Sequence, residues 1–158
     1  MAVKPVLRIC TDKAGLEITA AVKEKRNGKS KREGKIEFRF FLMEAPSQGK
    51  TTQIKFIAEP FEGFEIFLKA NKLLREPGKE KLTHRFELPD KKEIVTNLQI
   101  EHWAKGDKRG FGFAIGRDKD FISVPITGTQ ATAKFLHAAE FCKFLSMRQC
   151  WEEELEPH

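Results

Sequence analysis

The sequence predicts an α+β fold, with two antiparallel four-stranded sheets and two helices laid out as a duplicated strand-strand-strand-strand-helix unit. Three observations predict it. Apolar and polar residues alternate along Leu16 to Ala20 and again along Ile36 to Phe40, as they do in half-buried strands. Two later segments, opening near Pro60 and Thr129, switch to helical spacing. Sliding Thr51 to Leu74 onto Lys119 to Cys142 sets Phe67-Leu68-x-Ala70 over Phe135-Leu136-x-Ala138, so strand, turn and helix recur in the same order, as in an internal repeat.

Val6 to Thr11 and Leu16 to Lys25 read as a hairpin: Leu16, Ile18, Ala20 and Val22 alternate with Glu17, Thr19 and Lys23, and Ala14-Gly15 supplies the turn. A polar connector, Arg26 to Gly34, follows. In the third strand Ile36, Phe38, Phe40 and Leu42 face one way, and Glu37, Arg39, Phe41 and Met43 the other; Thr51 to Ile57 is the fourth. Pro60 suits the first turn of a helix, whose apolar positions Phe64, Phe67, Leu68 and Leu74 run until Pro77-Gly78 stops it. The second half repeats the plan with Thr83 to Leu88, Glu93 to Ala104, Gly110 to Gly116 and Asp120 to Pro125. Its helix, from about Thr129 to Cys150, carries the stripe Ala131, Phe135, Ala138, Cys142 and Leu145. The chain therefore reads as a single domain, 1–158, of two repeats (about 3–76 and 82–150) with a short acidic tail, 152–158.

Twenty-nine Lys and Arg against twenty-three Asp and Glu leave a formal charge of +6 on 158 residues, which favours a polyanionic partner. Cys10, Cys142 and Cys150 are odd in number and form no CxxC pair, so neither a zinc site nor a disulfide framework is indicated. No apolar run approaches the roughly 20 residues that span a bilayer, and the N-terminus lacks an apolar signal core. The expectation is a soluble intracellular protein without membrane contact, in the cytoplasm or nucleoid, or in the nucleus or an organelle of a eukaryote.

The segment Lys105 to Arg117 is the most informative one. Alternate aromatics Phe111 and Phe113 share a strand face, glycines at 110, 112 and 116 leave backbone open to approach, and Lys105, Lys108, Arg109 and Arg117 can hold phosphates. Arg109-Gly-Phe-Gly-Phe113 looks like the opening of the aromatic octamer of RNA-recognition modules, but it continues Ala114-Ile115-Gly116. Trp103, Phe111, Phe113 and Phe121 to Val124 are similarly reminiscent of a cold-shock core. Both likenesses fail on element order. A strand, not a helix, precedes the octamer, and a long helix follows Val124.

Over the whole chain the sequence resembles the Whirly and PUR-type single-stranded DNA-binding proteins. Leu98-Gln-Ile-Glu101, Gly110-Phe-Gly-Phe-Ala114 and Phe121-Ile-Ser-Val-Pro-Ile-Thr127, followed by an Ala/Phe/Leu-rich helix, match Whirly closing strands, helix entry and second helix. The family's Lys-Gly-Lys-Ala-Ala-Leu-Ser motif is absent, leaving only Gly34-Lys35. The resemblance implies the duplicated fold and single-stranded DNA as the ligand class.

Candidate binding residues follow from charge and exposure. Lys25, Arg26, Lys29, Lys31 and Arg32 crowd one connector, with Lys55 on the fourth strand and Lys105, Lys108, Arg109 and Arg117 around the glycine-rich strand; each can neutralise a phosphate. Phe41, beside Arg39, and Trp103, beside Glu101, lie opposite their strands' main apolar faces and are placed to stack on bases or to contact another subunit. Phe111 and Phe113 remain open at this point: Ile115 shares their face, so that face is either core or ligand surface. Phe141, Phe144 and Leu145 on the last helix point to a homodimer or homotetramer.

Enzyme signatures are weak and no cofactor is implied. Gln48-Gly-Lys-Thr51 ends like a P-loop, but Glu44 stands at the first glycine position and a strand follows. His84, His102 and His137 lack ligand spacing, and Cys142 sits on a buried stripe. The acidic ending Glu152 to Glu156 reads either as a frayed, solubilising terminus or as a competitor for the basic groove. Sequence alone therefore points to a non-enzymatic binder of single-stranded DNA or RNA. Its rivals are a scaffold module with an acidic protein partner and a nuclease.

Overall fold

The computed structural model describes residues 3–25, 28, 30–44 and 52–156. In chain order the described elements are β1 (Val6–Cys10), β2 (Ala14–Lys25), β3 (Lys31–Leu42), β4 (Gln53–Ala58), α1 (Pro60–Arg75), β5 (Gly78–Glu87), β6 (Glu93–Lys105), β7 (Lys108–Arg117), β8 (Asp120–Ile126), α2 (Ala131–Arg148) and β9 (Glu152–Glu154). The first sheet runs β1-β2-β3-β4 and the second β5-β6-β7-β8, all antiparallel, and β9 adds a fifth strand to the first sheet by pairing with β3. The α+β fold of two antiparallel sheets and two helices is as the sequence predicts; the fifth strand is an addition to it.

The alternation in sequence becomes one buried face per sheet. In the first sheet Leu16 pairs with Phe40 and Ile18 with Phe38, and Phe38 and Phe40 meet Phe56 and Ile54 across the next ladder. In the second, Leu98 opposes Ile115, Ile100 opposes Phe113, and Phe113 opposes Val124. All are buried, and they form one cluster with Ile66, Ala70 and Leu73 of α1 and Phe135, Ala138, Cys142 and Leu145 of α2. Each large apolar side chain so buried contributes on the order of 1.5–3 kcal/mol relative to exposure.

Local chemistry sets the helix ends. Pro60 occupies the first turn of α1, and the Glu62 carboxylate accepts the Glu59 backbone N–H at 2.9 Å, closing a capping box that satisfies an otherwise orphaned donor. Lys72 and Arg75 in the last turn complement the helix dipole, and the chain leaves the helix at Glu76, just before Pro77.

Two strands start well before the sequence predicts, and β2 takes in Ala14 and Gly15, read as a turn, opposite Leu42 and Phe41. The segment read as the connector Arg26 to Gly34 is in good part strand, because the β2–β3 ladder continues out to Lys25 opposite Lys31. Charges rather than apolar residues line that arm, from Lys23 to Lys25 and from Lys31 to Glu33. β5 likewise begins at Gly78 rather than Thr83, with Glu80 opposite Ile100. The P-loop-like Gln48 to Thr51 lies outside the described residues.

The helix surfaces retain apolar exposure. On α1, Phe61, Phe64 and Leu68 are exposed, as are Phe144 and Met147 on α2, and Lys143 of α2 lies 4.7 Å over the Phe67 ring of α1, so the two rows adjoin. Leu145, named for both the apolar stripe and a subunit contact, is buried in the core with the rest of the stripe. Among the described residues no helix is long and apolar enough to cross a membrane.

Candidate nucleic-acid interface

Strand register lays a lane of small residues along the outward face of the second sheet. Gly110, Gly112, Ala114 and Gly116 oppose Trp103, Glu101, Gln99 and Asn97 on β6, while Gly112, Ala114 and Gly116 oppose Pro125, Ser123 and Phe121 on β8. The indole of Trp103 covers Gly110: a Cβ there would overlap Cζ2 and Cε2 and sit 2.9 Å from Nε1. At Gly112 and Gly116 a Cβ would meet only ordinary contacts, 3.5 and 3.6 Å away. Of these three glycines, Gly110 alone is demanded by packing.

At one end of the lane Lys105, Lys108 and Arg109 are all exposed around a turn whose Gly106 has φ 60°, in the left-handed region that favours glycine. Trp103, these three cations and the open backbone therefore share one end of one sheet. Such a grouping offers a ring to a base and ammonium or guanidinium groups to the phosphates beside it.

Phe111 and Phe113 do not belong to that surface, which corrects their inclusion among the base-stacking residues. Both are fully buried. Phe111 is sandwiched between His102 at 4.5 Å and Phe135 at 4.4 Å, and Phe113 packs 5.7 Å from Phe135. The reason is parity: they share the Ile115 face, and α2 covers it. The glycine side of the strand faces out instead.

The first sheet carries a related arrangement. Phe41 lies opposite Gly15, and a Cβ at Gly15 would overlap its ring. The Arg39 guanidinium sits 4.5 Å from the Phe41 centroid, a cation–π contact, and bonds Glu17 at 3.2 Å; Lys55 is its cross-strand neighbour on β4. Glu17 also accepts from Arg8 at 2.7 Å. The Arg8 hydrogen bond, helped by Arg39, holds the Glu17 carboxyl below its ordinary range although partial burial opposes this.

The charged arm of β2 and β3 is already engaged. Lys31 contacts Glu33 at 2.9 Å and Glu152 at 3.1 Å, Arg32 pairs with Glu153, and Lys25 stands 3.4 Å from Glu33. The acidic ending is thus not a frayed terminus. It docks as β9, in register Lys31 to Glu154 and Glu33 to Glu152. Lys31, then Lys35, holds the Glu33 carboxyl down at about 2.

An anchor precedes β9. Gln149 Nε2 donates to Ala21 O at 2.7 Å and to Lys35 O at 2.9 Å, and Gln149 O and the Trp151 indole lie so close over Gly34 that no Cβ fits. Burial alone would lower the Lys35 ammonium, yet Glu59 and Glu33 outweigh it and hold it raised. Arg26 and Lys29 lie outside the described residues.

Arg117 is placed differently from the other cations. Its Nε donates to Thr96 Oγ1 at 3.0 Å and its Nη2 to the Lys55 carbonyl at 2.8 Å, so it ties the second sheet to the free edge of the first. Phe121, exposed beside Gly116, is a surface ring that the sequence reading passed over. Its parity, opposite to Ile122 and Val124, was the available signal.

Cys142, His102 and His84, weighed for catalysis, have structural places. Burial pushes the Cys142 thiol up to about 12. His102 is buried and bonds Leu73 O through Nδ1 at 2.6 Å; His84 bonds Glu62 at 2.8 Å. Among the described residues no group of three or more His, Cys, Asp or Glu is arranged to hold a metal.

This architecture is similar to the Whirly fold of two solved structures. The plant transcriptional regulator PBF-2 aligns with a TM-score of 0.59 at 17% identity, over 94% of this chain and 84% of that one. WHY1 from Arabidopsis thaliana aligns with a TM-score of 0.58 at 15% identity, over 95% and 87%. No protein-family model matches the chain, and no curated protein matches it significantly. The likeness is one of fold, including both sheets and both helices.

Proposed function

We propose that this protein binds single-stranded nucleic acid, unpaired DNA foremost, without catalysing a reaction. The observation that carries the reading is the pair of outward rings, Trp103 over Gly110 and Phe41 over Gly15, each set on a sheet face beside cations. Trp103, one face of which rests on Gly110, presents its other face to a base, and Phe41 would do so once Arg39, 4.5 Å from its centroid, turns to a phosphate. Stacking of that kind contributes ~1–3 kcal/mol per base and is tolerant of sequence.

Lys105, Lys108 and Arg109 would hold the phosphates near Trp103, and Arg39 and Lys55 those near Phe41. Lys25, Lys31 and Arg32 would join once released from acidic neighbours. The fold shared with a plant transcriptional regulator supports this reading. The exposed helix rows of Phe61, Phe64, Leu68, Phe144 and Met147 support assembly into a homodimer or homotetramer. An intracellular setting, where such strands are met, follows from the same reading.

Filter binding of labelled oligodeoxythymidine at low salt tests it. Retention by the wild-type protein is expected; no retention at any protein concentration would refute the reading.

A further inference from the structure

Between the two sheets lies a second basic surface. The β5–β6 hairpin and the edge strand β4 border an open cleft of about 500 Å³ whose lining includes Lys23, Lys55, His84, Arg85, Phe86 and Arg117. Its volume falls within the roughly 300–1,000 Å³ of ligand-binding clefts. Four of the lining residues are Lys or Arg and none is Asp or Glu.

The floor is rigid. Phe56 and His84 stack at 4.0 Å and 19°, His84 is held by Glu62, and Arg117 is fastened to Thr96 and to the Lys55 carbonyl. One wall is apolar and open: Phe86 is 64% exposed, an unusual state for a phenylalanine on the same strand face as the buried Leu82. Arg85 points to the other side of β5, with Glu93 at 2.7 Å. Lys55 belongs to both surfaces, because on the outward face of the first sheet it stands opposite Arg39, next to Phe41. A strand that crosses Phe41 and Arg39 therefore reaches the cleft one interstrand step later, ~4.8 Å on.

We propose that this cleft seats one nucleotide of the bound single strand. Phe86 stacks on its base, Lys23 and Lys55 hold the flanking phosphates, and Arg117 forms the fixed floor. The assignment rests on the nucleic-acid reading above and extends it from the sheet faces to the groove between them. A nucleotide fits the chemistry better than an apolar ligand or a side chain of an acidic partner, since the cleft joins an exposed aromatic ring to several cations.

The test is fluorescence anisotropy with labelled oligodeoxythymidine, comparing wild type, Phe86→Ala and the double variant Lys23→Gln/Lys55→Gln, with circular dichroism to confirm folding. Photocrosslinking to an oligonucleotide bearing 5-iodouracil, mapped by mass spectrometry, gives the position. Phe86→Ala should weaken binding roughly 5- to 150-fold. The double variant should lower the salt slope by about 1.4, from two lost phosphate contacts. A crosslink should fall on Phe86.

Wild-type binding that survives Phe86→Ala unchanged, with crosslinks confined to Trp103 or Phe121, overturns the cleft assignment and leaves the general reading standing. Capture of a polyglutamate peptide by the cleft residues, with oligonucleotide affinity unaltered by their replacement, overturns it as well. Failure of the wild-type protein to bind any oligonucleotide removes the general reading, and the cleft assignment with it.

Discussion

The indole of Trp103 lies over Gly110, its cross-strand partner, and no larger residue at 110 leaves it there. Trp103→Ala should therefore lower affinity for oligodeoxythymidine by roughly 5- to 150-fold, the loss of one stacked base. Thermal unfolding should change little, because the side chain lies on the outward face. Gly110→Ala should weaken binding too, and it should also cost ~1–3 kcal/mol of stability by crowding the indole. Anisotropy and denaturant melts on the two variants separate these effects.

Phe113→Ala should behave in the opposite manner. Its ring is fully buried against Phe135, so truncation opens a cavity at a cost of about 3–5 kcal/mol. At temperatures where the variant remains folded, oligonucleotide affinity should match wild type. A binding defect in a fully folded variant would restore Phe113 to the interface.

The acidic strand β9 occupies Lys31 and Arg32 through Glu152 and Glu153. Glu152→Gln/Glu153→Gln should raise affinity for single strands at low salt. If both cations then meet phosphate, the salt slope should steepen by about 1.4. Unchanged affinity and slope would show that the β2–β3 arm takes no part in binding.

Glu33 supplies a pH test. Its carboxyl falls from the ordinary 4.5 to about 2 in the folded protein, through Lys31 first and then Lys35. A depressed folded value stabilises the protein fully above about pH 4.5, and the contribution disappears as pH falls towards 2. Urea midpoints of wild type and Glu33→Gln should thus differ most above pH ~5 and converge towards pH ~2. A constant gap across that window would rule the linkage out.

Much of this architecture was legible because burial writes a period into strands and helices. Leu16, Ile18, Ile36, Phe38 and Phe40 alternate because one sheet face is core, and Pro60 and Pro77 bracket a helix for stereochemical reasons. The outward placement of Phe41 and Trp103 was legible on the same ground. Phe111 and Phe113 were ambiguous since alternation says which residues share a face, and only the packing of α2 says which face is inside.

Features built beyond the core left no such trace. β9 is three glutamates whose strand character comes from pairing with Lys31 to Glu33, a contact between residues far apart in sequence. The start of β3 was hidden for the same reason. The inter-sheet cleft joins Lys23, Lys55, Arg85 and Arg117 from four strands, and nothing local to any of them announces the meeting.

The central claim is that charged and ring-bearing sheet faces hold unpaired strands. A salt-titrated anisotropy comparison of one sequence as single-stranded DNA, single-stranded RNA and duplex DNA tests it most directly. The account predicts that single strands bind more tightly than duplex, with log affinity falling linearly against log salt. Equal or tighter duplex binding, or no salt-dependent binding of any form, would contradict it.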